Sequence, residues 1–218
     1  MSDTDSFIDE VTEEVRRDRL FAAMRRYGWI GILLVVAIVA GAAVNEWQKA
    51  KAEAEARAFG DALMAAMAAE TPAARAEAVA GVPAAGPERA AVQGFLAAAS
   101  LLEAGDTGAA LAAWDGIAAN GALPVSYRHL ALLKRVIAAG PEMPASERGA
   151  ALDMLAAPGA PYRMLALEQQ ALDLVAAGEG DAAVERLRAL LQEPGVTSGL
   201  RRRATQLMVA LGAEPGAA

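Results

Sequence analysis

From Tyr27 to Val44 the chain runs through eighteen residues without a charged side chain. As a helix this stretch is roughly 27 Å long, close to the hydrocarbon thickness of a bilayer. Trp29 and Trp47 bracket it, with Leu33, Val36, Ala37 and Gly41 between them. The two rings fall where interfacial aromatics collect at the faces of a membrane. A core helix can be this apolar, but it is seldom this long, this free of charge and flanked in this way. The expectation is a transmembrane helix over 27–44, and every other segment has to be read around it.

A cleavable secretory signal has a short basic lead, a shorter apolar core and an A-x-A site. Ala40-Gly41-Ala42 supplies the tripeptide, but the 26 residues ahead of the span carry acid as well as arginine. That lead fits an uncleaved signal anchor. Arg16, Arg17, Arg19, Arg25 and Arg26 precede the span, and Lys49, Lys51 and Arg57 follow it. The bias places the N-terminus in the cytoplasm and the C-terminal bulk across the membrane.

Past the anchor about 170 of the 218 residues remain, enough for one domain with a real core. The chain is 55% hydrophobic but only 5% aromatic, because much of it is alanine. Alanine is the best helix former, and β-branched runs are scarce outside the span, so the expected fold is all-α. A net charge of −7 offers no basic patch for phosphates and argues against nucleic-acid binding. With no cysteine there is no disulfide framework and no thiolate metal site.

Along the chain, Ser6-Phe7-Ile8-Asp9 opens a short amphipathic helix in which Phe7, Val11 and Val15 recur every four residues. It either lies against the membrane surface or docks a partner. Helix is expected again from Glu46 to about Glu70, with Ala54, Ala58, Phe59, Ala62, Leu63 and Met67 on one face. Thr71-Pro72 marks a helix boundary, and Gly81 to Pro87 reads as a loop.

Beyond that loop the sequence repeats. Leu101-Leu102-Glu103-Ala104-Gly105-Asp106 is matched by Leu174-Val175-Ala176-Ala177-Gly178-Glu179, and Gly140 ends a further helix before Pro141-Glu142-Met143-Pro144. Gly105, Gly140 and Gly178 fall 35 and 38 residues apart, near the 34-residue period of tetratricopeptide repeats. A glycine after a helix can take the left-handed conformation that closes it. Small residues must then let the second helix approach: Ala98 and Ala110 in one repeat, Ala171 and Ala183 in the other. Larger side chains follow as knobs, Trp114 and Ile117 against Leu187 and Leu190. Units of this kind stack into a curved solenoid. The expected organisation is a cytoplasmic lead (1–26), the anchor (27–44), a membrane-proximal helix and loop (45–85), a tetratricopeptide-like α-solenoid (86–211) and a flexible tail (212–218).

Taken in order, these features resemble the bacterial inner-membrane proteins with a tetratricopeptide-repeat-like domain that serve as ancillary subunits of the Sec translocon. The resemblance spans nearly the whole chain: the acidic-then-basic lead, the span ending in Asn45-Glu46-Trp47, the Ala-rich helix from Ala54 to Phe59, and the turns at Gly105 and Gly178. The chain departs from that pattern in its alanine content and in the segment from Pro141 to Pro144. The resemblance implies a periplasmic domain that links the translocation channel to periplasmic chaperones or secreted clients.

Signals for catalysis are poor. His129 is the one histidine, and alone it builds no metal site from this chain. There is no P-loop, no Gly-x-Ser-x-Gly and no His-Glu-x-x-His, and acid pairs such as Glu13-Glu14 suit a solvated face. Arg201-Arg202-Arg203 reads as the solvated face that a terminal repeat needs, or as a contact for an acidic partner. Ala37 and Gly41 form a small-x-x-x-small pair that would let another membrane helix approach. No cofactor, metal or small-molecule substrate is expected. The leading expectation is a membrane-tethered, non-enzymatic scaffold at the Sec channel. The alternatives are a repeat adaptor of another envelope assembly (division, cell wall or respiratory-complex maturation) and a hydrolase with an unrecognised site.

Overall fold

A computed structural model describes the backbone of residues 3–214, and the side chains of Phe21 and of residues 24–214. The described residues are all-helical, in nine α-helices. The chain divides into two compact units, Met1–Ala58 and Phe59–Ala218.

The first helix, α1, runs from Asp3 to Met67. The lead is therefore part of one long helix and not a short separate one; its stripe of Phe7, Val11 and Val15 lies outside the described side chains. Within α1 the segment Met24–Met67 is long and apolar enough to cross a membrane. Its most apolar 18-residue window has a mean hydropathy of 2.3, and none of that window is buried.

In the second unit, Phe59 and Leu63 from the last turns of α1 pack with Val79, Val82 and Leu96. The stretch between Glu70 and the Gly81 loop holds α2 (Pro72–Ala80), capped by Thr71, whose Oγ1 accepts from the Ala74 amide at 3.2 Å. The other end of α2 is closed from α3 (Pro87–Glu103): Gln93 Nε2 donates to the carbonyls of Val79, Ala80 and Val82 at 2.6–2.9 Å. One amide thus gathers carbonyls at and just beyond the end of α2, where a helix leaves its last acceptors open.

The sequence repeat becomes two helical hairpins, α3 with α4 (Thr107–Ala119) and α7 (Arg163–Ala176) with α8 (Gly180–Gln192). Their turns share one hydrogen-bond pattern. The Gly105 and Asp106 amides donate to Leu102 and Leu101, and the Gly178 and Glu179 amides donate to Val175 and Leu174. This is the Schellman closure, which needs a left-handed residue at the glycine; φ is +84° at Gly105 and +79° at Gly178. The repeat extends to packing. Ala98, Ala110, Ala171 and Ala183 all have zero exposure, and Trp114 and Ile117 are buried at the places that Leu187 and Leu190 hold in the second hairpin.

Between the hairpins lie α5 (Val125–Ala139) and α6 (Ala145–Leu155), and Thr197 caps the closing helix, α9 (Ser198–Ala210). The α5–α6 joint is built differently. Gly140, with φ +52°, starts a 3-10 turn to Glu142, and Met143 then drops into the core with Leu133, Val136, Leu152 and Leu155. The insertion seen in the sequence is thus a plug. Every extensive helix–helix contact joins consecutive elements, and packing thins on both sides of α6.

Candidate functional site

Along α1 the residues expected to anchor the chain are all exposed: Trp29 (61%), Leu33 (58%), Val36 (59%) and Trp47 (65%), with Ala37 and Gly41 also open. Each end of the apolar stretch carries a cation on an aromatic face. The Arg26 guanidinium lies 5.9 Å from the Tyr27 ring centre, and the Lys51 ammonium 5.9 Å from that of Trp47. Such pairs suit a water–membrane boundary, where rings and cationic groups share the interfacial layer.

The second unit carries a concavity beside α6. A groove of about 670 Å³ opens between the Gly140–Met143 turn, α6, α7 and the middle of α8, within the roughly 300–1,000 Å³ of ordinary ligand sites. Pro141, Met143, Leu152, Leu172 and Leu174 form apolar walls. A second hollow of about 480 Å³, between α7 and α8, shares Leu174 and Arg186 with it.

Two polar ladders cross the groove. In the first, Arg148 of α6 points Nε at both carboxylate oxygens of Asp173 on α7, at 2.8 Å each. Its Nη1 donates to the Val136 carbonyl at 2.6 Å and closes the end of α5. This arginine, 13% exposed, joins three helices through one fork of donors. In the second, Gln170 of α7 donates through Nε2 to Asp153 of α6 at 2.9 Å and accepts at Oε1 from Arg186 of α8 at 3.0 Å.

The remaining arginines of this region serve the fold. Arg135 bridges Asp115 and Glu147, and the hydrogen bond it donates to Glu147, with the charges of both acids, raises its pKa against a lowering by burial. Arg163 reaches Glu193 and the Ala156 carbonyl. Arg203 of α9 makes a two-pronged bond to the buried Glu168 of α7, at 2.7 and 2.8 Å. That bond raises the Arg203 pKa as well. The Arg201–Arg203 run therefore splits: Arg201 and Arg202 are solvated, whereas Arg203 clamps the last helix.

No His/Cys/Asp/Glu cluster able to hold a metal ion occurs among the described residues. The Nδ1 of His129 is buried without a partner, as is Trp114 Nε1, whose ring lies 5.7 Å from the Lys134 ammonium. Gly105 and Gly178 sit at hairpin ends, and Ala110, Trp114, Ala183 and Leu187 lie in the core; of the residues marked by the repeat, Gly140 alone lines the groove among the described residues. Sequence reasoning missed Gln170, Arg148 and Arg186, since polar residues on a helix carry no local mark of a shared surface.

Comparison with protein-family models, with curated proteins and with solved structures returns no match for this chain.

Proposed function

We propose that the chain is a single-pass, membrane-anchored scaffold without catalytic activity of its own. Tyr27–Val44 is the signal anchor in this reading, with the N-terminus cytoplasmic and the helical unit on the periplasmic side of a bacterial inner membrane. The unit is a tetratricopeptide-like solenoid. Its partners, by the resemblance drawn from the sequence, are the Sec translocon and periplasmic chaperones or secreted clients. Tethering raises the effective concentration of such a scaffold at the channel without high intrinsic affinity.

One observation carries the reading. The apolar window of α1 is exposed over its whole length and circumference. Leaving one large aliphatic side chain in water instead of an apolar medium costs about 1.5–3 kcal/mol, and a bilayer removes that cost for all of them together. A groove with apolar walls and fixed charges, free of clustered catalytic groups among the described residues, supports binding over chemistry.

The test is affinity purification of the tagged full chain from membranes in mild detergent, beside a variant whose Tyr27–Val44 is replaced by an unrelated span. Translocon subunits recovered with the native chain and depleted with the variant would support the reading. Recovery of a different envelope complex, or of no partner, would overturn the translocon assignment.

A further inference from the structure

The groove beside α6 has an electrical direction. Asp153 stands on the α6 side and Arg186 on the α8 side, both exposed. Among the described residues neither has an oppositely charged side chain within 4.0 Å; each is held only by the neutral amide of Gln170. This is unusual in its surroundings, where Arg135, Arg148, Arg163 and Arg203 all meet carboxylates. The Gln170 amide turns its N–H toward the acid and its oxygen toward the base, so the walls present a negative and a positive site on either side of one amide.

The lining also limits the backbone an occupant can bring. The groove is built by helices whose main-chain groups are spent on their own hydrogen bonds, and it offers no strand edge. An extended peptide would bury N–H and C=O groups with few partners, at a cost of about 1–3 kcal/mol for each one left unpaired. A helix arrives with those groups already satisfied and lays an apolar face between Pro141, Leu152, Leu172 and Leu174. Two side chains at i and i+4 on such a helix share one face, so a single helix can turn one toward Asp153 and the other toward Arg186.

We infer that this groove binds an amphipathic helix of a partner protein in one orientation, with a lysine or arginine at position i facing Asp153 and a carboxylate at i+4 facing Arg186. The inference rests on the scaffold reading above and gives its binding surface a definite chemistry. The charges set direction and the apolar walls supply affinity, the usual division of labour at an interface.

The experiment uses the full chain in detergent micelles and two fluorescent 16-residue helical probes sharing a Leu face at i, i+3, i+4 and i+7. One has Lys at i and Glu at i+4 on its flank; the other has them exchanged. By anisotropy the first should bind the native chain at least tenfold more tightly, about 1.4 kcal/mol. The double exchange Asp153→Lys with Arg186→Glu should invert that preference. The fold should survive, because Gln170 meets the reversed charges by turning its amide over. Leu172→Asp should weaken both probes without changing their order.

Equal affinity for the two probes, an order that survives the charge exchange, or binding to empty micelles alone would overturn the inference. Self-association of the chain abolished by the exchange would overturn it too, by making the occupant a second copy. Purification with the exchanged variant separates the two readings. Translocon subunits retained by that variant would leave the scaffold standing and remove the groove as their site, whereas their absence from the native chain would remove the translocon assignment itself.

Discussion

Replacing Arg203 by methionine should loosen one end of the second unit selectively. Glu168 is 9% exposed, and its carboxylate takes both prongs of the Arg203 guanidinium at 2.7 and 2.8 Å. Losing one partner of a fully buried pair costs about 3–5 kcal/mol, mostly through the stranded charge. Here the Arg203 side chain is 53% exposed, so water reaches the acid once the guanidinium is gone, and about 2 kcal/mol is the expected loss. For a unit of this size that corresponds to a fall in Tm of about 4–8 °C. Thermal unfolding of the full chain in detergent, followed by circular dichroism, should show this shift, and hydrogen exchange should place it in α9. Arg202→Met, on an exposed side chain, serves as control and should change stability by less than about 0.5 kcal/mol. The double variant Glu168→Met, Arg203→Met should recover most of the loss, since no charge is left buried. The sign with pH follows from the raised Arg203 pKa. Stability from a raised cation is complete below its unfolded pKa, which for an arginine lies beyond the ordinary alkaline range, and is lost only above it. The coupling energy should therefore be equal at pH 7 and pH 10. If Arg203→Met and Arg202→Met prove indistinguishable, the clamp has no energetic role.

Three further expectations follow from the packing. Gly178→Ala adds no contact, since nothing lies within 4 Å of the new methyl, but φ is +79°, so it should destabilise by about 1 kcal/mol or more; Gly116→Ala, in open space inside α4, should stabilise by up to about 1 kcal/mol. Equal signs in chemical denaturation would refute the turn argument. At the fully buried hairpin contact, Leu187→Ala should cost about 3 kcal/mol, and Ala183→Leu about 1–3 kcal/mol through overpacking; a tolerated Ala183→Leu in a urea titration would deny the close approach. Val36→Arg, at the centre of the exposed apolar stretch, should oppose membrane insertion by about 2.5–3.5 kcal/mol, visible as protein released by alkaline carbonate from membranes that retain the native chain.

What the sequence disclosed and what it hid divide along physical lines. The hairpin turns were legible because a left-handed residue after a helix selects glycine, and a shared Leu-x-x-Ala-Gly followed by an acid surrounds Gly105 and Gly178. The apolar stretch was legible because length and lack of charge are read directly from composition. The Gly81–Pro87 interval stood out by its helix breakers, although α2 just ahead of it did not, being a short alanine-rich helix with little pattern. The polar ladders stayed hidden because their partners lie far apart in the chain: 25 residues for Arg148 and Asp173, 30 for Arg163 and Glu193, 35 for Arg203 and Glu168. No local periodicity marks such pairs. The Arg201–Arg203 run is solvated as the sequence suggests, and only the fold reveals which one of the three arginines meets a buried acid.

The concentration of packing between consecutive helices has a consequence for how this unit is made. A chain whose contacts are local closes only short loops while folding, and such topologies fold quickly. Synthesis delivers a polypeptide from one end, so each hairpin can close as soon as its second helix emerges, without holding an apolar face open for a segment still to come. One reach beyond a neighbour, from Glu168 on α7 to Arg203 on α9, is made by the last of the described helices. That ion pair is therefore a latch, set only when the whole array behind it is complete.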